Sequence, residues 1–217
     1  MKMNFKRIEP KSSDTRSIVV FLHGYGADGA DLLSIGNVLA EHLPHTLFIA
    51  PDAPTKCQMS PFGFQWFPIP TMDGSAEAQA EKELDRICGL TNQWIDELIV
   101  KEGVKDKDVF LFGFSQGTML SLYLGPQRAQ ALGGIIGFSG KLVNIESFRL
   151  KIISKPPVLL IHGDEDAVVK PLHLQEAVQE LKLLHFDVRQ HLSVGVAHGI
   201  ASEGLTEALK FLREKIK

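Results

Sequence analysis

Short apolar runs and longer stretches of mixed polarity alternate along this chain. Ser17-Ile18-Val19-Val20-Phe21-Leu22, Val109-Phe110-Leu111-Phe112 and Pro157-Val158-Leu159-Leu160-Ile161 are nearly continuous apolar runs. That pattern marks strands covered on both faces. Strands are predicted over 18–22, 46–50, 109–113, 133–138, 157–161 and 187–192, with a further short strand near 3–8. Helices are predicted over 30–42, 77–101, 116–125, 171–185 and 203–215. In the second of these Leu84, Ile87, Cys88, Thr91, Ile95, Leu98 and Ile99 recur at helical spacing, opposite Glu83, Arg86, Glu97 and Lys101. In the last, Leu205, Ala208, Leu209 and Leu212 form the same kind of stripe. Strands alternating with helices predict a mostly parallel, twisted sheet with helices on both faces. We expect one α/β domain over 1–217 and no large cap.

Two segments lack a period. The stretch from Pro51 to Gly74 holds Pro51, Pro54, Pro61, Pro68 and Pro70 with Phe62, Phe64, Trp66 and Phe67 between them. Prolines stiffen such a segment and the aromatics give it an apolar inner surface. It is expected to wall an acyl groove with Trp66 nearest the site, or to pack on its own sheet. Residues 139–156 read as a short connection, too short for a lid.

Candidate chemistry begins with Gly113-Phe114-Ser115-Gln116-Gly117, a G-x-S-x-G motif between a predicted strand and a predicted helix. A sharp strand-to-helix turn lifts the serine hydroxyl above the sheet, and the glycines avoid a clash where strand and helix close on each other. A serine hydroxyl needs a base, and the base needs an orienting acid. The acid follows the serine in this chain order: His162-Gly163-Asp164-Glu165-Asp166 comes directly after the run 157–161. Asp166 is favoured over Asp164, which falls in a tight turn suited to bonding its own backbone. His198 then lies in Gly195-Val196-Ala197-His198-Gly199, just before the last helix. Of the other histidines, His23 and His162 each precede a glycine at a strand end and are read as loop-shaping. His42, His45, His173, His185 and His191 carry no motif.

An oxyanion site needs two backbone N–H groups. Gln116, at the start of a helix, supplies one. The loop His23-Gly24-Tyr25-Gly26-Ala27-Asp28-Gly29 supplies the other, with Tyr25 as donor, unless it is a plain glycine-rich turn. A phosphate loop fits poorly, because no Lys-Ser/Thr pair follows the glycines.

Together L-H-G-Y-G-A-D-G, G-F-S-Q-G, H-G-D-E-D-A-V-V and the closing A-H-G resemble the small carboxylesterase, acyl-protein thioesterase and lysophospholipase family of α/β-hydrolases, from about Ile18 onward. The resemblance implies Ser115 as nucleophile, Asp166 as orienting acid, His198 as base, and Tyr25 and Gln116 as oxyanion donors. It implies Gly24, Phe64 and Trp66 near the substrate, no cofactor or metal, and a homodimer. Ala167 and Thr118 depart from the proline and glycine that the family often has there. The expected activity is hydrolysis of small to medium acyl esters or thioesters through an acyl-enzyme. Long-chain acyl-protein or lysophospholipid substrates, a peptidase or lactone hydrolase on the same triad, and a non-catalytic binding protein are the alternatives.

Composition narrows the classes further. With 217 residues, net charge -3 and pI about 6.2, the chain has no basic stripe that would call for nucleic acid. No apolar run approaches a membrane span, so stable membrane insertion is not expected. No signal-peptide core follows Met1, and Cys57 and Cys88 make no metal or redox spacing, so the cytoplasm is the expected location.

Overall fold

The computed structural model describes residues 3–57 and 59–216. Seven strands build one sheet: β1 (Phe5–Ile8), β2 (Ser17–Leu22), β3 (Thr46–Pro51), β6 (Val109–Phe114), β7 (Gly134–Phe138), β8 (Val158–Gly163) and β9 (Val188–Ser193). Their spatial order is β1-β3-β2-β6-β7-β8-β9. Every pairing is parallel except β1 with β3. A separate two-stranded ribbon joins β4 (Thr55–Lys56) to β5 (Phe64–Gln65).

The predicted helices form as α1 (Gly29–Ala40), α3 (Glu77–Glu102), α4 (Gln116–Leu124), α6 (Leu172–Leu183) and α7 (Ser202–Lys215). Alternate residues of the buried strands feed two cores, because successive side chains point to opposite faces. Ile18, Val20 and Leu22 pack with Leu84, Ile87, Ile95 and Leu98 of α3 and with α4 and α6. Val19 and Phe21 pack with Leu32 and Leu39 of α1 and with Ala208, Phe211 and Leu212 of α7. Helices therefore cover both faces of a mostly parallel sheet without a large cap, the α/β-hydrolase architecture.

Two of the aperiodic segments hold structure that the pattern does not predict. Residues 51–74 contain the β4–β5 ribbon and a short helix, α2 (Pro70–Asp73). Residues 139–156 contain α5 (Ile145–Leu150) rather than a bare connection. Elements of two to six residues cannot display a full period. Distant contacts hold them instead: Phe64 donates its N–H to Ala27 and accepts that of Gly26, both at 2.8 Å.

The order of strands fixes the place of the site. The chain leaves β2, forms β3 on one side, and returns to form β6 on the other. At such a switch point the carboxyl ends of neighbouring strands diverge and leave a crevice. Leu22 and Gly113 are register partners. The loop 23–28 and Ser115 therefore emerge side by side.

Candidate active site

Ser115 occupies φ 52°, ψ -113° between β6 and α4. A non-glycine residue in this region is strained and persists only where its surroundings hold it. Here they do. Ser115 N–H donates to Phe138 O at 2.9 Å, Thr118 Oγ1 donates to the same carbonyl at 2.8 Å, and Met119 N–H donates to Ser115 O at 3.1 Å. A Cβ on Gly117 would overlap Leu22 O and His23 O, and one on Gly113 would overlap the Gly117–Thr118 backbone. The two glycines let α4 start directly on the sheet edge, with its N-terminus at the serine.

Asp166 lies past the end of β8, with its carboxylate fully buried. Oδ1 accepts the N–H groups of Val168 and Val169, each at 2.9 Å, and Oδ2 lies 2.7 Å from His198 Nδ1. Burial pushes the Asp166 carboxyl up. The hydrogen bonds from His198, Val169 and Val168 outweigh it and hold the group below the ordinary carboxylate range. An anionic Asp166 places the proton of the imidazole on Nδ1 and leaves Nε2 as a lone-pair site. Asp164 is exposed and accepts Gly195 N–H at 2.7 Å, so it ties the acid loop to the histidine loop instead of bonding its own turn.

His162 contacts the same carboxylate, a role that its sequence position did not signal. Its Nε2 lies 2.7 Å from Val169 O and 3.2 Å from Asp166 Oδ2. Burial lowers its pKa. His23 shapes its loop as expected. Nε2 accepts Ala53 N–H at 3.0 Å, so Nδ1–H donates to Gly24 O at 2.8 Å. Burial keeps it neutral by lowering its pKa.

The Tyr25 and Gln116 N–H groups stand at the ends of β2 and β6, and among the described residues neither donates to a protein acceptor. The Tyr25 hydroxyl is buried without a hydrogen-bond partner among the described residues, and burial pushes its pKa up, with Cys57 and Asp73 nearby adding to the shift.

Ser115, His198, Gly24 and Tyr25 open into one groove of about 860 Å³. Among the described residues no hydrogen bond joins Ser115 Oγ to His198; in an empty site such bonds are often long and tighten with substrate. The groove walls come from Phe67, Ile69, Met72, Met119, Leu142 and Val143. Trp66 and Phe64, expected to line it, do not. Trp66 is 0% exposed, donates Nε1–H to His23 O at 2.9 Å and lies 5.1 Å from the His23 ring. Phe64 is half-buried in β5, with Lys56 Nζ 4.0 Å from its ring centre. The groove wall thus lies further along the chain, in the residues after Trp66 and in the 139–156 connection. The pair Leu142-Val143 beside a strand end was the available signal for the second wall.

Among the described residues no cluster of three His, Cys, Asp or Glu could hold a metal ion, and no helix is long and apolar enough to cross a membrane.

The model of the phospholipase/carboxylesterase family matches residues 3–216. An acyl-protein thioesterase 1 of Yarrowia lipolytica is 31% identical over 224 residues, which cover 97% of this chain and 96% of that protein. The crystal structure of an esterase, PE8, superposes with a TM-score of 0.94 at 39% identity over 100% of both chains. Acyl-protein thioesterase 2 of Zea mays shares the fold, with a TM-score of 0.77 at 24% identity over 99% of each chain.

Proposed function

The chain belongs to the phospholipase/carboxylesterase family of serine hydrolases acting on esters, and from that premise we propose how its own residues carry the reaction. Ser115 Oγ attacks the acyl carbonyl while His198 Nε2 takes its proton. Asp166 keeps the proton on Nδ1 and stabilises the imidazolium that forms. The backbone N–H groups of Tyr25 and Gln116 bind the oxyanion at the positive end of α4. Collapse of the tetrahedral intermediate releases the alcohol or thiol, protonated by His198. Water, activated by the same imidazole, then frees the acid from Ser115.

One observation carries this reading. A serine held at φ 52° and a histidine bonded at 2.7 Å to a buried, anionic carboxylate open into the same groove. The oxyanion roles rest on two N–H groups at the same edge that meet no acceptor among the described residues. The apolar groove supports an acyl chain of small to medium length as substrate. Long-chain acyl-protein or lysophospholipid substrates are the second reading, favoured by the groove's volume, which lies in the range that buries a drug-sized molecule. The reading includes a cytoplasmic location, which two free, buried cysteines favour, and a homodimer, which light scattering tests.

The test is steady-state hydrolysis of p-nitrophenyl esters from acetate to palmitate, with Ser115→Ala beside the parent protein. Turnover that peaks at one chain length and vanishes in Ser115→Ala is the expected result. Full turnover in that variant removes Ser115 from the mechanism.

A further inference from the structure

Phe114 borders two spaces. With Ser115 and His198 it lines the groove, and with Leu32, Ser34 and Ile35 of α1 and Ile200 it lines a second recess of about 240 Å³. Asp31 borders both. The Phe114 ring lies 4.9 Å from the His198 ring, centre to centre. The imidazole assigned to proton transfer thus rests on a residue that borders both spaces.

Proton transfer tells which half of an ester goes where. The departing oxygen or sulfur must come within hydrogen-bond reach of the histidine that protonates it. The alcohol or thiol part therefore leaves on the histidine side of the carbonyl, and the acyl part extends the other way. The groove runs from Ser115 toward Pro68–Met72 and Lys141–Glu146. The recess lies against Phe114, which packs on His198, and against Ile200, two residues after it.

We propose that the recess between α1 and the His198 loop is the leaving-group subsite, and that it selects compact, apolar alcohol parts of about the size of a benzyl group. This rests on the assignment of Ser115 and His198 above. Leu32, Ile35, Phe114 and Ile200 give it an apolar lining. Its volume exceeds the roughly 150 Å³ that suffices for benzene. Asp31, with no ion-pair partner among the described residues, lines both the recess and the groove, and its negative charge disfavours anionic alcohol parts.

The experiment compares kcat/KM for methyl acetate, benzyl acetate and methyl octanoate in the parent protein, in Ser34→Trp and in Ile200→Trp. Methanol and benzyl alcohol are similar in acidity, so the benzyl-to-methyl ratio reads the subsite and not leaving-group chemistry. Ser34 is exposed, so its substitution fills the recess without entering the core. The expected result is a fall of about tenfold in the benzyl-to-methyl ratio in both variants, with the octanoate-to-acetate ratio of the methyl esters unmoved. An unmoved benzyl ratio, or a loss that follows acyl length, overturns the proposal. Retained methyl acetate turnover in Ser115→Ala is a separate failure, that of the nucleophile assignment itself.

Discussion

The side chain of Gln116 is committed to the backbone on either side of Trp66: Oε1 accepts Trp66 N–H at 2.9 Å and Nε2 donates to Phe67 O at 2.7 Å. One residue thus contributes its N–H to the serine edge and its amide to the start of the groove wall. Gln116→Leu keeps the N–H but strands a buried donor and a buried acceptor. It is expected to destabilise the protein by about 2–4 kcal/mol while retaining a measurable kcat, unlike Ser115→Ala. Thermal unfolding and ester hydrolysis of the same preparation check this, and an unchanged melting temperature contradicts it.

Trp66 and Leu142 are expected to separate stability from chain-length preference. Trp66→Ala removes a ring with no exposure, at a cost of about 3–5 kcal/mol, and leaves the octanoate-to-acetate ratio near its parent value. Leu142→Trp narrows the groove and moves the optimum to shorter esters. A larger change of that ratio in Trp66→Ala than in Leu142→Trp restores the tryptophan to the substrate wall.

Asp166→Asn tests the tautomer argument. The asparagine can still accept the Val168 and Val169 N–H groups, but its NH₂ faces His198 Nδ1 and drives the ring proton to Nε2. A fall in kcat of roughly 10³–10⁴ is expected, with little change in folding. The decisive comparison is kcat beside the urea midpoint. A loss of both together reassigns Asp166 to stability alone.

Two glycine substitutions should move stability in opposite directions. Gly117→Ala drives a methyl group into Leu22 O and His23 O, backbone atoms that cannot step aside, and is expected to cost more than about 3 kcal/mol. Gly89→Ala adds a methyl with nothing within 4 Å, inside α3. It should stabilise by about 0.5–1 kcal/mol through helix propensity. Differential scanning calorimetry of both settles the contrast.

His23 predicts a pH dependence of stability. Its folded pKa lies below the ordinary 6.5 because of burial, which the hydrogen bond to Gly24 only partly offsets. Below pH 6.5 the unfolded chain therefore binds a proton that the folded ring refuses. Stability is complete above that pH and declines as the pH falls from 6.5 toward the folded value, by up to about 1.4 kcal/mol per unit. His162 shifts in the same direction. Urea midpoints at pH 7.5 and 5.5 should differ in this sense, and His23→Gln, which keeps a donor and an acceptor, should reduce the difference. An equal dependence in that variant excludes His23 as a source.

The legible part of the chain is local. Apolar runs identify the five inner strands, β2, β3, β6, β7 and β8, to within a residue or two, because a strand covered on both faces must be apolar throughout, whereas the edge strands β1 and β9 carry exposed polar residues such as Lys6, Arg189 and Gln190. The long helices follow from their stripes. G-F-S-Q-G between a strand and a helix marks the turn at Ser115, since only glycine fits the approach of α4 to β2. Ser115, Asp166 and His198 stand in loops at strand ends, and that placement is readable from the chain.

Long-range packing decided the rest. The order β3-β2-β6 opens the crevice, and no residue of β2 records which strands will flank it. The groove wall is built from Phe67–Met72 and from Leu142 and Val143 rather than from Trp66, because an aromatic in an aperiodic segment reads alike whether it lines a groove or plugs a core. His162 meets Asp166, and Phe114 packs under His198, only through the pairing of β6 through β9. The sequence by itself determined the elements, the strained turn and the chain order of the chemical groups, which depend on backbone sterics and period. Tertiary structure alone decided the groove, its walls and its recess, because those are spaces between elements distant along the chain.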